Sequence, residues 1–367
     1  MNVYLFDQYG AGTSYSGPGN YFVNLINANS MKDISFNLVH GNAAQENIKS
    51  FDSLNFIHKC DNRLNNAVYS YRVAEFVKSN DIDIIQTTHS YLGSTSAARA
   101  GIKKGVPTFL RIAKSNSELL NRNWVAKTLR LSQRKVEVIK NSQGVVAISK
   151  EIENELLSLG VPEEKIKYIP NGVDVSRFNV ENFNRNFKSP FPHDAVIIAF
   201  CGALIPRKRP HLILETLKNL PDYFVACFIG PYDDNSYFRT MKEFILNNNL
   251  TDRVHFTGYV RNPEDYLKCS KYFCLPSENE GMPNALLEAM ASQCVAISTN
   301  ISGVTDIIKS SDVGFIVAPN VDEICSVIRN SEVKKVDIAR NASLHISENF
   351  SAKAAFNKYI EMYREVL

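Results

Sequence analysis

Between Tyr272 and Ser298 the chain spells out a strand, a loop, a helix and a second strand. No other stretch limits the fold as tightly. Tyr272 to Leu275 is a short apolar run that reads as a buried strand. Pro276 and Ser277 end it, and a polar turn follows, Glu278-Asn279-Glu280-Gly281. Pro283 suits the first position of a helix, where its missing N–H costs nothing. Asn284 to Ala291 is built from helix-favouring Ala, Leu, Glu and Met, and Val295 to Ser298 is the next buried strand. Strands alternate with helices in this way along both halves of the chain. That pattern predicts α/β architecture with doubly wound parallel sheets and ligands at the carboxyl ends of the strands.

Two acids mark this unit. Glu280 stands in the loop before the helix and Glu288 more than one turn inside it. Met282, just ahead of Pro283, has no side-chain oxygen to cap the helix. Free N–H groups there would suit an anion, and the helix dipole favours one. A phosphate flanked by hydroxyl-bearing groups would match, with a carboxylate for the diols on each side. A solvated acidic loop and an ordinary amphipathic helix would leave the same trace.

Composition narrows the class. At 367 residues the chain is too long for one common domain and right for two. A net charge of +3 gives no global argument for nucleic acid. No uncharged apolar run is long enough to span a membrane, and MNVYLFDQYG reads as a strand rather than a signal peptide. The seven cysteines form no CxxC pair and read as reduced, buried thiols of a cytoplasmic protein. The histidines show no metal spacing. Asp81-Ile82-Asp83 precedes an apolar run and reads as the start of a strand rather than a metal site.

The segment PSENEGMPNALLEAMASQCVAIST resembles the signature of glycosyltransferase family 4, retaining nucleotide-sugar enzymes of the GT-B fold. Pro170-Asn-Gly-Val-Asp-Val-Ser-Arg-Phe178 is similar to that family's end of the first domain. The resemblance implies two Rossmann-like domains facing across a cleft. Residues 1–180 would form the acceptor-side domain, 181–194 a linker and 195–350 the donor-binding domain, with the C-terminal helix 351–367 packing back on the first.

It also implies roles. Glu288 would bind ribose hydroxyls. Glu280 would sit near those of the sugar, with the backbone of Gly281, Met282, Pro283, Asn284 and Ala285 on sugar and phosphate. Lys208 in RKR matches the family lysine that stabilises the leaving diphosphate, and Glu280 and Lys208 are the expected catalytic pair. Tyr259 and Val260 would meet the nucleotide base. Gly17 and Gly19, expected in the loop after the first strand, would approach the diphosphate. The family's metal-independent, front-face mechanism has the leaving phosphate take the acceptor's proton.

The chain departs from the pattern twice. Ala113 stands where many members have a histidine, and Ala203 where they have an arginine that Arg207 or Arg209 would replace. Lys114, Ser115 or Asn116 would contact substrate in the histidine's stead, while His89 ends a different strand and fits a cleft or a structural role.

The resemblance calls for no cofactor and no metal. The substrate would be a nucleoside-diphosphate sugar, UDP or GDP, and the acceptor a glycan or lipid-linked molecule; nucleic acid is not an expected partner. From Arg99 to Lys140 the chain carries eleven basic and two acidic residues and its single tryptophan, Trp124. That fits an anionic membrane surface on the inner face of the cytoplasmic membrane, a phosphorylated acceptor, or a solvated basic face. Two rivals share the features: a sugar-nucleotide epimerase of the same fold and a non-catalytic membrane-associated relative.

Overall fold

The computed structural model describes residues 1–11, 17–29, 31, 33–42, 51, 53–115, 131–233 and 235–366. The chain divides into two compact units, 1–171 with 352–367 and 172–351.

The first unit holds a seven-stranded sheet, all parallel. Its strands are β1 (Asn2–Asp7), β2 (Ser35–His40), β3 (Ser53–Phe56), β4 (Ile84–Thr87), β5 (Thr108–Ile112), β6 (Gly144–Ala147) and β7 (Ile166–Tyr168). The order is β3-β2-β1-β4-β5-β6-β7. Val3, Leu5, Ile84, Ile85, Leu110 and Val146 are fully buried, as expected of a sheet covered on both faces. Asp83, at the end of the Asp81-Ile82-Asp83 tripeptide just before β4, accepts the Asn2 N–H at 2.7 Å and ties β4 to β1. The helix Ala352–Arg364 belongs to this unit. Its Tyr359 ring packs on Phe22 at 5.1 Å and Tyr363 on Phe109 at 5.7 Å, and the Tyr363 hydroxyl donates to Gln86 Oε1 at 3.1 Å.

The second unit holds a six-stranded parallel sheet in the order β10-β9-β8-β11-β12-β13. These are β8 (Val196–Cys201), β9 (Phe224–Ile229), β10 (Val254–Gly258), β11 (Tyr272–Leu275), β12 (Val295–Thr299) and β13 (Phe315–Val317). β11 and the helix Asn284–Ala291 fall where the sequence puts them.

Three features differ from expectation. Gly17 and Gly19 open the helix Gly17–Asn27 instead of lying in the loop, because Pro18 starts a helix readily. The edge strand β3 and the helix Leu92–Lys104 are additional elements. Residues 181–194 fall inside the second unit. Their phenylalanines are what anchor them there. Phe187 packs on Tyr266 at 4.8 Å and Phe191, 8% exposed, on His255 at 6.2 Å. All seven cysteines are free. Burial pushes the Cys274 and Cys294 thiols up to about 12, so they stay protonated.

Candidate active site

In the second sheet the strand order reverses between β8 and β11. Loops leaving neighbouring strands at such a point part to opposite faces, and ligands settle in the crevice between them. Here the loops are 202–210 and 276–283.

They are laced together. The Glu278 N–H donates to the Arg207 carbonyl at 2.9 Å, and the Arg207 guanidinium donates to the Asn279 carbonyl. Arg209 pairs with Glu278 at 2.8 Å. Glu280 Oε1 lies 2.9 Å from Lys208 Nζ and 3.3 Å from Arg207 Nη1, and accepts from Ser277 Oγ at 3.2 Å. Burial alone would push the Glu280 carboxyl up. Lys208 and Arg207 outweigh that and hold it below the usual carboxylate range. The Lys208 side chain passes close over Gly202. The glycine's φ is +145°, and a Cβ there would stand 3.1 Å from Lys208 Nζ.

The helix Asn284–Ala291 begins after Pro283 with no side-chain cap. Leu286, Leu287 and Met290 fix it to the core, each at most 1% exposed, at roughly 1.5–3 kcal/mol per side chain. Glu288 is partly buried. Burial pushes its carboxyl up to about 7, against the pull of Arg177 and with the help of Glu264. Arg177 pairs with Glu264 at 2.7 Å and donates to the Arg261 carbonyl at 2.9 Å. Neither Arg177 nor Glu264 is among the residues expected from sequence. Arg177 lies in the segment ending at Phe178, but no local pattern announces a partner 87 positions away.

Of the remaining expected donor residues, Gly281, Met282 and Pro283 are buried, and Asn284 and Ala285 partly so. Tyr259 is 55% exposed and Val260 partly buried, just past β10. Thus the second unit brings Lys208, Arg207 and Glu280 together, sets Glu288 beside Arg177, and turns Arg209 to Glu278. In the first unit Gly17 is exposed and Gly19 buried, while Ala113, Lys114 and Ser115 follow β5. Asn116 and Trp124 lie outside the described residues. Among the described residues no group of His, Cys, Asp and Glu is placed to hold a metal ion.

The first sheet reverses its order between β1 and β4. The end of β1 and the loop after β4 carry Asp7, Thr88 and His89, all at most 1% exposed. His89 is thus buried rather than lining a surface. Its Nδ1 accepts from Ser94 Oγ at 3.1 Å and from the Tyr91 N–H at 3.4 Å. This places the ring proton on Nε2, 3.7 Å from Asp7 Oδ1. Burial, with Arg111 nearby, pushes its pKa down to about 3, so the ring is neutral.

Two family models divide the chain. The model described as Glycosyltransferase Family 4 matches residues 17–177, and Glycosyl transferases group 1 matches residues 182–342. The capsular polysaccharide biosynthesis glycosyltransferase CapH of Staphylococcus aureus is 27% identical over 248 residues, 64% of each protein. The match thus spans just under two thirds of that relative's length. An Escherichia coli UDP-Gal:α-D-GlcNAc-diphosphoundecaprenol α-1,3-galactosyltransferase is 26% identical over 80% of this chain and 78% of its own. The crystal structure of Anabaena Alr3699/HepE in complex with UDP covers both chains fully, with a TM-score of 0.81 at 17% identity. The likeness shows a shared GT-B fold.

Proposed function

The chain belongs to the glycosyltransferases of family 4 type, and from that premise we propose that it moves a sugar from a nucleoside-diphosphate sugar to a glycan or lipid-linked acceptor in the building of a cell-surface polysaccharide. The observation that carries the reading is the β8/β11 crevice, where Lys208 and Arg207 converge on Glu280 beside an uncapped helix start. The relatives make capsular polysaccharide or act on a diphosphoundecaprenol-linked sugar, and the structural neighbour holds UDP. UDP is therefore the nucleotide proposed first, with GDP second.

In this reading the diphosphate lies at the start of the helix Asn284–Ala291, where backbone N–H groups and the helix dipole favour negative charge. Glu288 takes the ribose diol and Tyr259 and Val260 take the base. Glu280 orients the sugar from its ion pair, and Lys208 meets the charge that develops on the departing diphosphate without the need of a metal ion. Electrostatic stabilisation of this kind is commonly the largest single contribution to such a reaction. A leaving phosphate that takes the acceptor's proton would give retention at the anomeric carbon. The basic stretch Arg99–Lys140 is proposed to meet an anionic membrane surface on the cytoplasmic side.

Thermal-shift measurements with UDP-, GDP- and ADP-sugars name the donor. With that donor, Glu288→Ala is expected to raise the donor KM strongly. Lys208→Ala is expected to lower kcat by about 10²–10³, the usual size for losing one such charge contact. Unchanged kinetics in both variants would sink the assignment. Chelator is expected to leave turnover intact, and product NMR to show the donor's anomeric configuration.

A further inference from the structure

We propose that Tyr9 and Tyr91 form a stacking platform in the first unit for a neutral pyranose ring of the acceptor, a substrate class that rests on the transferase reading above. The two tyrosines stand on the loops that leave β1 and β4, at the point where the first sheet reverses its order. Ligands of open parallel sheets collect at such points, and sites for them are lined by aromatic faces with a few fixed polar groups. Both tyrosines are partly exposed, and Leu92, next to Tyr91, is 55% exposed. Everything beneath them is buried: Asp7, Thr88, His89, Ser90 and Ser94 are each at most 1% exposed.

The rings are held in place. Tyr9 meets Tyr91 edge-on at 5.7 Å, and both rest on the imidazole of His89, at 5.7 and 4.7 Å. The Tyr91 N–H is tied to His89 Nδ1, and Asp7 Oδ1 accepts from Thr88 Oγ1 at 2.6 Å, joining the β1 loop to the β4 loop. Gln8, between Asp7 and Tyr9, donates to Asn66 Oδ1 at 2.8 Å and accepts the Gly93 N–H at 2.9 Å. A Cβ at Gly93 would stand 2.3 Å from the Tyr69 ring, so the loop and the start of the helix Leu92–Lys104 are seated without slack.

The paired rings and the acid beneath them argue for sugar rather than phosphate. The carboxylate of Asp7 lies directly below, and His89 is neutral. Two cations, Arg111 and Lys135, act on the His89 ring beneath, and both terminal nitrogens of the Arg111 guanidinium are engaged. It donates to the Thr88 carbonyl at 2.9 Å and to Asn171 Oδ1 at 2.6 Å, and lies 4.9 Å over the Tyr21 ring. Gly93's N–H, which an anion at the helix start would want, is already taken by Gln8. A phosphate would meet the Asp7 carboxylate there. A pyranose loses nothing, and its C–H face meets the electron-rich face of an aromatic ring.

The test uses the full chain with UDP present and saturation-transfer NMR with methyl α-glucoside, methyl α-galactoside and methyl α-N-acetylglucosaminide, with inorganic phosphate as the anionic competitor. The expected result is saturation of axial ring protons in at least one glycoside, unaffected by phosphate. Tyr9→Leu and Tyr91→Leu are expected to weaken that binding about tenfold, the size of a lost aromatic contact. Tyr91→Phe should recover it, because the ring and not the hydroxyl carries the contact. UDP's own signal reports whether each variant is folded. Were both leucine variants to lose UDP as well, Tyr91→Trp would decide: an enlarged face must keep or strengthen the glycoside signal. The proposal is overturned if no glycoside is saturated in the wild type, if phosphate displaces it, or if the leucine variants bind it undiminished. Failure of the wild type to bind UDP or any nucleotide sugar would instead strike at the transferase reading.

Discussion

Glu288 is the side chain whose protonation state the protein disturbs most usefully. Burial pushes its carboxyl up to about 7, and Arg177 only partly offsets this. A carboxyl raised in the folded state stabilises the empty protein most below its ordinary value, and that contribution fades as the pH rises through about 7. Donor binding runs the other way. A ribose diol donating two hydrogen bonds favours the ionised form, so binding lowers the pKa and releases a proton. Affinity for the nucleotide sugar should therefore rise with pH up to about 7 and level off above it. Below that point each unit of pH costs up to about tenfold. Calorimetry of UDP-sugar binding in buffers of different ionisation enthalpy measures the proton directly, and the diphosphate of a UDP-sugar, esterified at both ends, does not titrate in this range. Glu288→Gln should bind weakly and independently of pH. Flat affinity and no proton release in the wild type would remove Glu288 from the ribose.

At the scale of elements, the proposed donor loop, 276–283, depends on a glycine outside it. Gly303 has φ +77°, and a Cβ there would stand 2.7 Å from the Gly281 carbonyl oxygen and 2.9 Å from Met282 Cα. Gly303→Ala must then displace the backbone just after Glu280, besides the left-handed conformation's own cost of about 1–2 kcal/mol. The expected outcome is a donor KM raised at least about tenfold with a melting temperature only a few degrees lower, since the helix below keeps its buried face. A donor KM unchanged at that lower melting temperature would show that the loop does not shape the site.

The same loop shows what could be read in advance. β11 and the helix Asn284–Ala291 were legible because an unbroken apolar run, a proline and an Ala/Leu/Met-rich stretch each point to one structure. β3 was not. It is a four-residue edge strand, SLNF, whose Leu54 and Phe56 are 46% and 56% exposed, so it carries no buried pattern. The helix Leu92–Lys104 escaped for a different reason. Its LGSTSAARAG is written in small residues that allow close packing, and these give no strong periodicity. The acids and the lysine of the candidate site stand in the sequence as a spaced signature. Arg177 beside Glu288, and the buried Asp7–His89 pair, are products of chain crossings that spacing cannot encode.

For the whole molecule the open term is charge. The chain's basic excess is only three, yet Arg99 to Lys140 alone carries eleven basic and two acidic residues. The compensating acids therefore lie elsewhere in the sequence. In the described part of this segment Arg99, Lys103 and Arg134 line an open groove of about 380 Å³ between the helices Leu92–Lys104 and Leu131–Asn141, with Glu137 as its acid. Arg122, Trp124, Lys127 and Arg130 lie outside the described residues. No helix among the described residues is long and apolar enough to cross a membrane. The proposed attachment to a bilayer is by surface electrostatics, worth about 1 kcal/mol per basic residue near an anionic leaflet and lost within a Debye length. Co-sedimentation with vesicles containing phosphatidylglycerol should be substantial at low salt and fall steeply as salt is raised, and neutral phosphatidylcholine vesicles should bind little. Replacing Lys127, Arg130, Arg134 and Lys135 by glutamine removes four of the eleven charges. It should weaken vesicle binding by more than about tenfold while leaving the affinity for UDP-sugar unchanged, because none of the four is among the proposed donor residues. Vesicle binding that survives both the substitutions and high salt would mean that the basic stretch is a solvated face.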